Sequence, residues 1–221
     1  MSPAPEHPVH HPTREQHAEE TRATILREAK RLFMEFGYRA VSTRMVAEAA
    51  RLTQPALYHH FASKEDLYVA VLTQELTEMG TRLRAIAEGD GTARERLERA
   101  AAYLLSRTHQ NISIMQHDIR TELSDEAAST VGARFFANVV EPINRIVGDG
   151  IAQGLVAPPA EIGFAPMQMG LYFLHQVSFL TRPPARTEHG HAIARHLREQ
   201  NREAMVVSLF LRGVGAGQGD G

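Results

Sequence analysis

Residues 53–66 read TQPALYHHFASKED, a stretch in which two adjacent histidines follow a tyrosine. Paired histidines suggest metal ligation or acid–base catalysis. A helical metal pair needs ligands at i and i+4 on one face, whereas His59 and His60 are neighbours that would point about 100° apart on a helix. His109 and His117 are eight residues apart, and His191 and His196 are five apart. His7 and His11 have the right spacing but sit among prolines that oppose a helix. The chain has no cysteine, so thiolate zinc sites and disulfides are excluded. No metal and no cofactor is expected. Catalysis lacks its usual signatures too: there is no Gly-x-Ser-x-Gly, phosphate loop or His-Glu-x-x-His. His117 and Asp118, the best acid–base pair, are adjacent and diverge on a helix. The sequence does not read as an enzyme.

Recognition of a polyanion fits the same stretch better. The 221-residue chain has a net charge of −2, yet between Gly37 and Lys64 four bases (Arg39, Arg44, Arg51, Lys64) face one acid, Glu48. That local +3 stands against −5 for the remainder, a docking face on an otherwise acidic protein. Gln54 can pair with adenine, small residues such as Ala56 let backbone approach a major groove, and Tyr58 or His59 can reach phosphates. Thr43 and Lys64 fall at helix starts, where backbone N–H groups favour phosphate.

Helices must position these side chains. Ile25, Ala29, Leu32, Phe33 and Phe36 recur at helical spacing, and Gly37 supplies a stop. Ser42 or Thr43 caps a short helix to Ala50, and after the turn RLT, Thr53 caps another over Gln54–Phe61. Pro55 falls in that helix's first turn, where a missing N–H costs nothing. Leu57 and Phe61 would pack inward. Ser63-Lys64-Glu65-Asp66 opens a long helix through about Ala87. Further helices are expected at Thr92–Gln110, Asn111–Leu123, Asp125–Gln153 (bent at Pro142), Ala160–Leu180 and Arg186–Leu211. No strand pattern or internal repeat is visible. Residues 1–13 and 213–221 read as disordered tails, 14–66 as a helix-turn-helix domain and 67–212 as a second helical domain. No apolar run could span a bilayer and no signal peptide is visible, so a soluble, cytoplasmic protein is expected.

Two short helices joined by a tight turn are a helix-turn-helix. The run from Thr21 to Leu72 strongly resembles the N-terminal domain of TetR-family transcriptional regulators. The matching residues are Ala29, Leu32-Phe33, Gly37-Tyr38, Ser42-Thr43, Val46-Ala47, Ala50, Leu57-Tyr58-His59-His60-Phe61 and Ser63-Lys64-Glu65-Asp66-Leu67. The resemblance covers residues 18–75; beyond it the chain matches only in its layout of helices. It implies an all-α fold with an N-terminal three-helix DNA-binding domain and a C-terminal domain for effector binding and dimerisation. It also implies DNA contacts from Thr43, Arg44, Arg51, Thr53, Gln54, Pro55, Ala56, Tyr58, His59 and Lys64. Two residues depart from the pattern: Arg51 stands where the family commonly has glycine, and Pro55 is unusual.

The helix at Ala160–Leu180 is apolar almost all round and should be buried on both sides. Gln168, Tyr172 and His175 nevertheless form a polar line along it. They either bond within the core or across a dimer seam, or line a cavity for a mostly apolar small-molecule effector. Tyr103, Met115, Phe135 and Phe136 are candidate walls. Ile193, Leu197, Ala204, Val207 and Leu211 form an apolar stripe on the last helix, read through the resemblance as a homodimer interface. The expected function is a ligand-responsive repressor binding a palindromic DNA operator as a homodimer. The alternatives are a DNA-bound protein whose C-terminal helices dock a protein partner, or a ligand-dependent activator.

Overall fold

The computed structural model describes residues 13–107, 118–163, 165–181 and 201–214. The α-helices are α1 (Arg14–Ala40), α2 (Thr43–Ala49), α3 (Gln54–Tyr58), α4 (Lys64–Ala87), α5 (Ala93–Arg107), α6 (Asp125–Phe135), α7 (Glu141–Ala152), α8 (Pro166–Thr181) and α9 (Arg202–Val214). A π turn, Phe136–Val140, joins α6 to α7, and a 3-10 turn, Pro159–Ile162, precedes α8. The fold is all-α, without a strand among the described residues. None of their helices is long and apolar enough to cross a membrane. Most of the helix expected at Asn111–Leu123, most of both expected tails, and the segment 186–200 lie outside the described residues.

The chain divides into two compact units, Met1–Val71 and Leu72–Gly221. In the first, α1 starts earlier than its apolar stripe because Thr13 and Gln16 cap each other reciprocally. Ile25, Ala29, Leu32 and Phe33 are buried, but Phe36, expected in the stripe, is 50% exposed. Just after it Gly37, with φ 78° and ψ 165°, breaks the helical turn, a conformation open to glycine. The chain then resumes to Ala40, turning Tyr38 onto Phe33 and Tyr68, with ring centroids 6.0 and 4.9 Å away. α2 packs on α1 and on α3, and Val46, Ala47, Leu57 and Phe61 close the core.

In the second unit α5 packs against α7, α8 and α9. Arg96 ties three elements together, donating to the Ala87 carbonyl and to Asp149, both at 2.7 Å. The bend expected at Pro142 is instead the π turn just before it. Proline has no N–H and its ring crowds the carbonyl four residues back, so the ladder shifts and the Glu141 N–H bonds Phe136. The last helix differs from expectation as well. Asn201 lies outside the helix and accepts the Ala204 N–H at 2.9 Å, so α9 starts at Arg202 rather than continuing from Arg186.

Candidate nucleic-acid interface

The helix-turn-helix is built from caps and one unusual turn. Ser42, rather than Thr43, caps α2 by accepting the Met45 N–H. The chain then reverses through Arg51, whose φ is 58°, and the Leu52 N–H bonds the Ala47 carbonyl at 2.8 Å. Thr53 caps α3, accepting from Ala56 N–H. This helix ends at Tyr58, shorter than the expected Phe61, because the His60 N–H turns back to Leu57 as a tight 2.9 Å bond. Leu57 is wholly buried and anchors the helix. The opposite side then presents Gln54, Pro55, Tyr58 and His59 exposed, with Ala56 half-buried and Thr53 and Arg51 exposed beside them.

Five candidate contacts, Thr43, Gln54, Tyr58, Arg44 and Lys64, are already engaged within the unit. Thr43 is buried, against the expectation of a phosphate-facing hydroxyl. Its Oγ1 accepts from Gln54 Nε2 at 3.0 Å and lies 3.2 Å from the Tyr58 hydroxyl. Arg44 is exposed but bridges Glu48 at 2.8 Å, and that hydrogen bond and charge raise its pKa above the ordinary arginine value. Half-buried Lys64 holds its ammonium 4.1 Å from the centre of the Tyr38 ring. Arg22 lies 4.6 Å over Phe61 and secures the inner end of the same turn.

The residues expected around an effector do not converge. Met115 lies outside the described residues. Tyr103 on α5 and Phe135 on α6 are half-buried, and Phe136 is exposed. Gln168 is exposed and serves as a cap, accepting the Ala165 N–H at 2.7 Å. Among the described members of the set, Tyr172 and His175 share a cleft of about 340 Å³ with Gln176, Phe179, Val206 and Leu209. That cleft lies between α8 and α9. The helix α8 is not buried on both sides: Met169, Phe173 and Val177 face inward, while Met167, Leu171 and Phe179 are exposed. On α9, Val207 and Leu211 belong to the core instead of a seam, and the outward residue is Leu209. Ile193 and Leu197 lie outside the described residues.

Residues 25–71, which hold most of this array, match the family model for bacterial regulatory proteins of the tetR family. That match makes residues 25–71 a TetR-type N-terminal domain. Curated relatives of the chain named as transcriptional regulators match up to 64% of it. An uncharacterised helix-turn-helix regulator of Bacillus subtilis, YhgD, is 29% identical over 61% of this chain and 71% of its own. The repressor KstR2 of Mycobacterium tuberculosis is 27% identical over 64% of this chain and 72% of its own. The activator FasR of Mycolicibacterium smegmatis is 33% identical over 37% of each. Among solved structures, FadR from Bacillus subtilis in complex with stearoyl-CoA superposes with a TM-score of 0.64, at 16% identity, over 87% of this chain and 98% of that one.

Sequence reasoning missed two features of this chain. Gln176 and Phe179 of the cleft follow Tyr172 and His175 by one helical turn each, so the same period contains them; attention to polar residues on an apolar helix passed them over. The Thr43 hub carries no local signal, since its partners lie 11 and 15 residues away.

Proposed function

We infer that this regulator binds a palindromic operator as a homodimer and represses transcription until a small, mostly apolar effector releases it. The observation that carries the DNA-binding part is the outward array on α3: Gln54, Pro55, Tyr58 and His59 exposed over a fully buried Leu57. A helix so anchored enters a major groove with polar and small side chains leading. Arg44, Arg51, Thr53 and Lys64 flank it as phosphate contacts. Two-fold symmetry sets half-sites about 34–36 Å apart, or a multiple of that.

The second copy docks on the outward apolar face of α8 and α9, formed by Met167, Leu171, Phe179 and Leu209. Tyr172 and His175 lie in the cleft on that face, which favours the seam over an enclosed effector pocket for the polar line. Ligand response is supported by FadR, solved with stearoyl-CoA, and repression by KstR2. Effector binding need supply only about 1–3 kcal/mol of coupling to shift the dimer between operator-bound and free states. FasR, an activator, supports a second reading in which the same DNA complex recruits rather than blocks transcription. Selection of double-stranded oligonucleotides by the purified chain tests the core of this reading. A two-fold symmetric sequence should emerge, and stearoyl-CoA provides a first effector probe. Selection that yields no preferred sequence would overturn it.

A further inference from the structure

Gln54 and Tyr58 stand about one turn apart on the exposed side of α3, and both are held by the same hydroxyl. Gln54 Nε2 donates to Thr43 Oγ1 at 3.0 Å, and the Tyr58 hydroxyl lies 3.2 Å from that oxygen. Thr43 itself is only 8% exposed. The geometry points to Thr43 as a positioning residue that sets the base preference of the recognition helix through Gln54, not as a phosphate contact. This assignment rests on the DNA-binding reading above.

The hydrogen-bond inventory gives the reason. A glutamine amide carries two N–H donors and one carbonyl acceptor. With one N–H committed to Thr43, Gln54 retains one donor and one acceptor side by side. Adenine offers the complement in the major groove, an N7 acceptor beside an N6 donor. Guanine offers two acceptors, N7 and O6, so a fixed carbonyl would face an acceptor there. An amide free to turn over could withdraw its carbonyl and present its N–H edge instead. Thr43 therefore narrows a residue able to serve two bases to one that prefers adenine. Having accepted from Gln54, the Thr43 hydroxyl still has its own hydrogen to offer the Tyr58 oxygen 3.2 Å away, and we take that as the direction of the bond. The phenolic hydrogen is then free for a phosphate. Linked bonds of this kind strengthen one another in a partly buried site, and a side chain already held loses less freedom on binding.

The test is oligonucleotide selection and titration with the full chain and its Thr43→Val, Thr43→Ser and Gln54→Ala variants. Valine keeps the shape of threonine and removes the hydroxyl. Gln54→Ala should abolish preference at one operator position. Thr43→Val should cut adenine-over-guanine preference at that same position by about three- to tenfold, and Thr43→Ser should restore it. The Thr43→Val/Gln54→Ala double variant should lose no more than Gln54→Ala does. The salt dependence of Thr43→Val binding should match the wild type. A uniform loss of affinity across all sequences with adenine preference intact would make the hydroxyl a phosphate contact and the assignment wrong. Unaltered preference at the Gln54 position overturns it as well. Should thermal melting show Thr43→Val unfolded, Thr43→Ala replaces it under the same expectations. A wild-type chain that selects no sequence removes the DNA-binding reading and this assignment together. Selection that only Gln54→Ala alters removes this assignment alone.

Discussion

At the scale of single residues, Arg51 carries the largest conflict between sequence and backbone. Its φ of 58° places a Cβ near the following carbonyl, at about 1–2 kcal/mol relative to a right-handed conformation. Glycine would avoid that cost. Arg51→Gly is therefore expected to stabilise the first unit by about 1 kcal/mol, seen as a higher denaturation midpoint. If the exposed guanidinium contacts phosphate, the same variant should bind operator more weakly, with its salt slope reduced by about one. A destabilised variant would mean that side-chain contacts outweigh the strain. This conflict could be read in the sequence because turn chemistry is local: a tight turn between capped helices demands a particular backbone, whichever residue occupies it. The same locality made the Thr53 and Ser63 caps legible. The burial of Thr43 is not legible in that way, because its helix-start position is local information, while contact of its hydroxyl with Gln54 and Tyr58 is a tertiary fact.

At the scale of elements, helical spacing located α4 well but could not foresee how α6 passes into α7. Asn138 is the reason the π turn fits there. Its Nδ2 donates to the Arg134 carbonyl at 3.0 Å, and its Oδ1 accepts from Arg84 Nη1 at 3.1 Å. Gly80 on α4 makes room for it: a Cβ on Gly80 would stand 2.4 Å from Asn138 Oδ1. A Gly80→Ala change gains about 1 kcal/mol of helix propensity but must displace this side chain, which costs about 1–3 kcal/mol. The cost should win, and Gly80→Ala should lower the unfolding midpoint. In an Asn138→Ala background the obstacle is gone, and the same change should stabilise. No reversal of sign between the two backgrounds would refute the steric account. Pro142 signalled an irregularity from the sequence alone; its form depended on residues on another helix. The start of α9 was missed for the opposite reason. An apolar period can be extrapolated through Asn201, but a cap that accepts the Ala204 N–H ends it.

At the scale of the whole molecule, the outer face of α8 is what a single chain leaves unfinished. A sequence this apolar reads as buried on both sides, yet among the described residues Met169, Phe173 and Val177 are covered while Met167, Leu171 and Phe179 are exposed. The sequence carries the amount of apolar surface but not which side of the helix is covered. With a second copy seated there, Phe179, which is 67% exposed, becomes a central contact. Phe179→Glu is exposed in the isolated chain, so its fold should change stability by less than about 0.5 kcal/mol and its helical circular dichroism should be unaltered. In the dimer the carboxylate would be buried against its symmetry mate, which neither desolvation nor like charge allows. Sedimentation equilibrium should therefore find the wild type at twice the 24.5 kDa chain mass and the variant at the chain mass. Two half-sites then bind independently, and operator affinity should fall about a hundredfold or more as effective concentration is lost. A variant that remains a dimer with intact operator binding would reject the α8–α9 face as the seam. If that dimer also ceased to respond to an effector, the cleft holding Tyr172, His175 and Gln176 would be a ligand site, and the polar line on α8 would have been a binding feature all along.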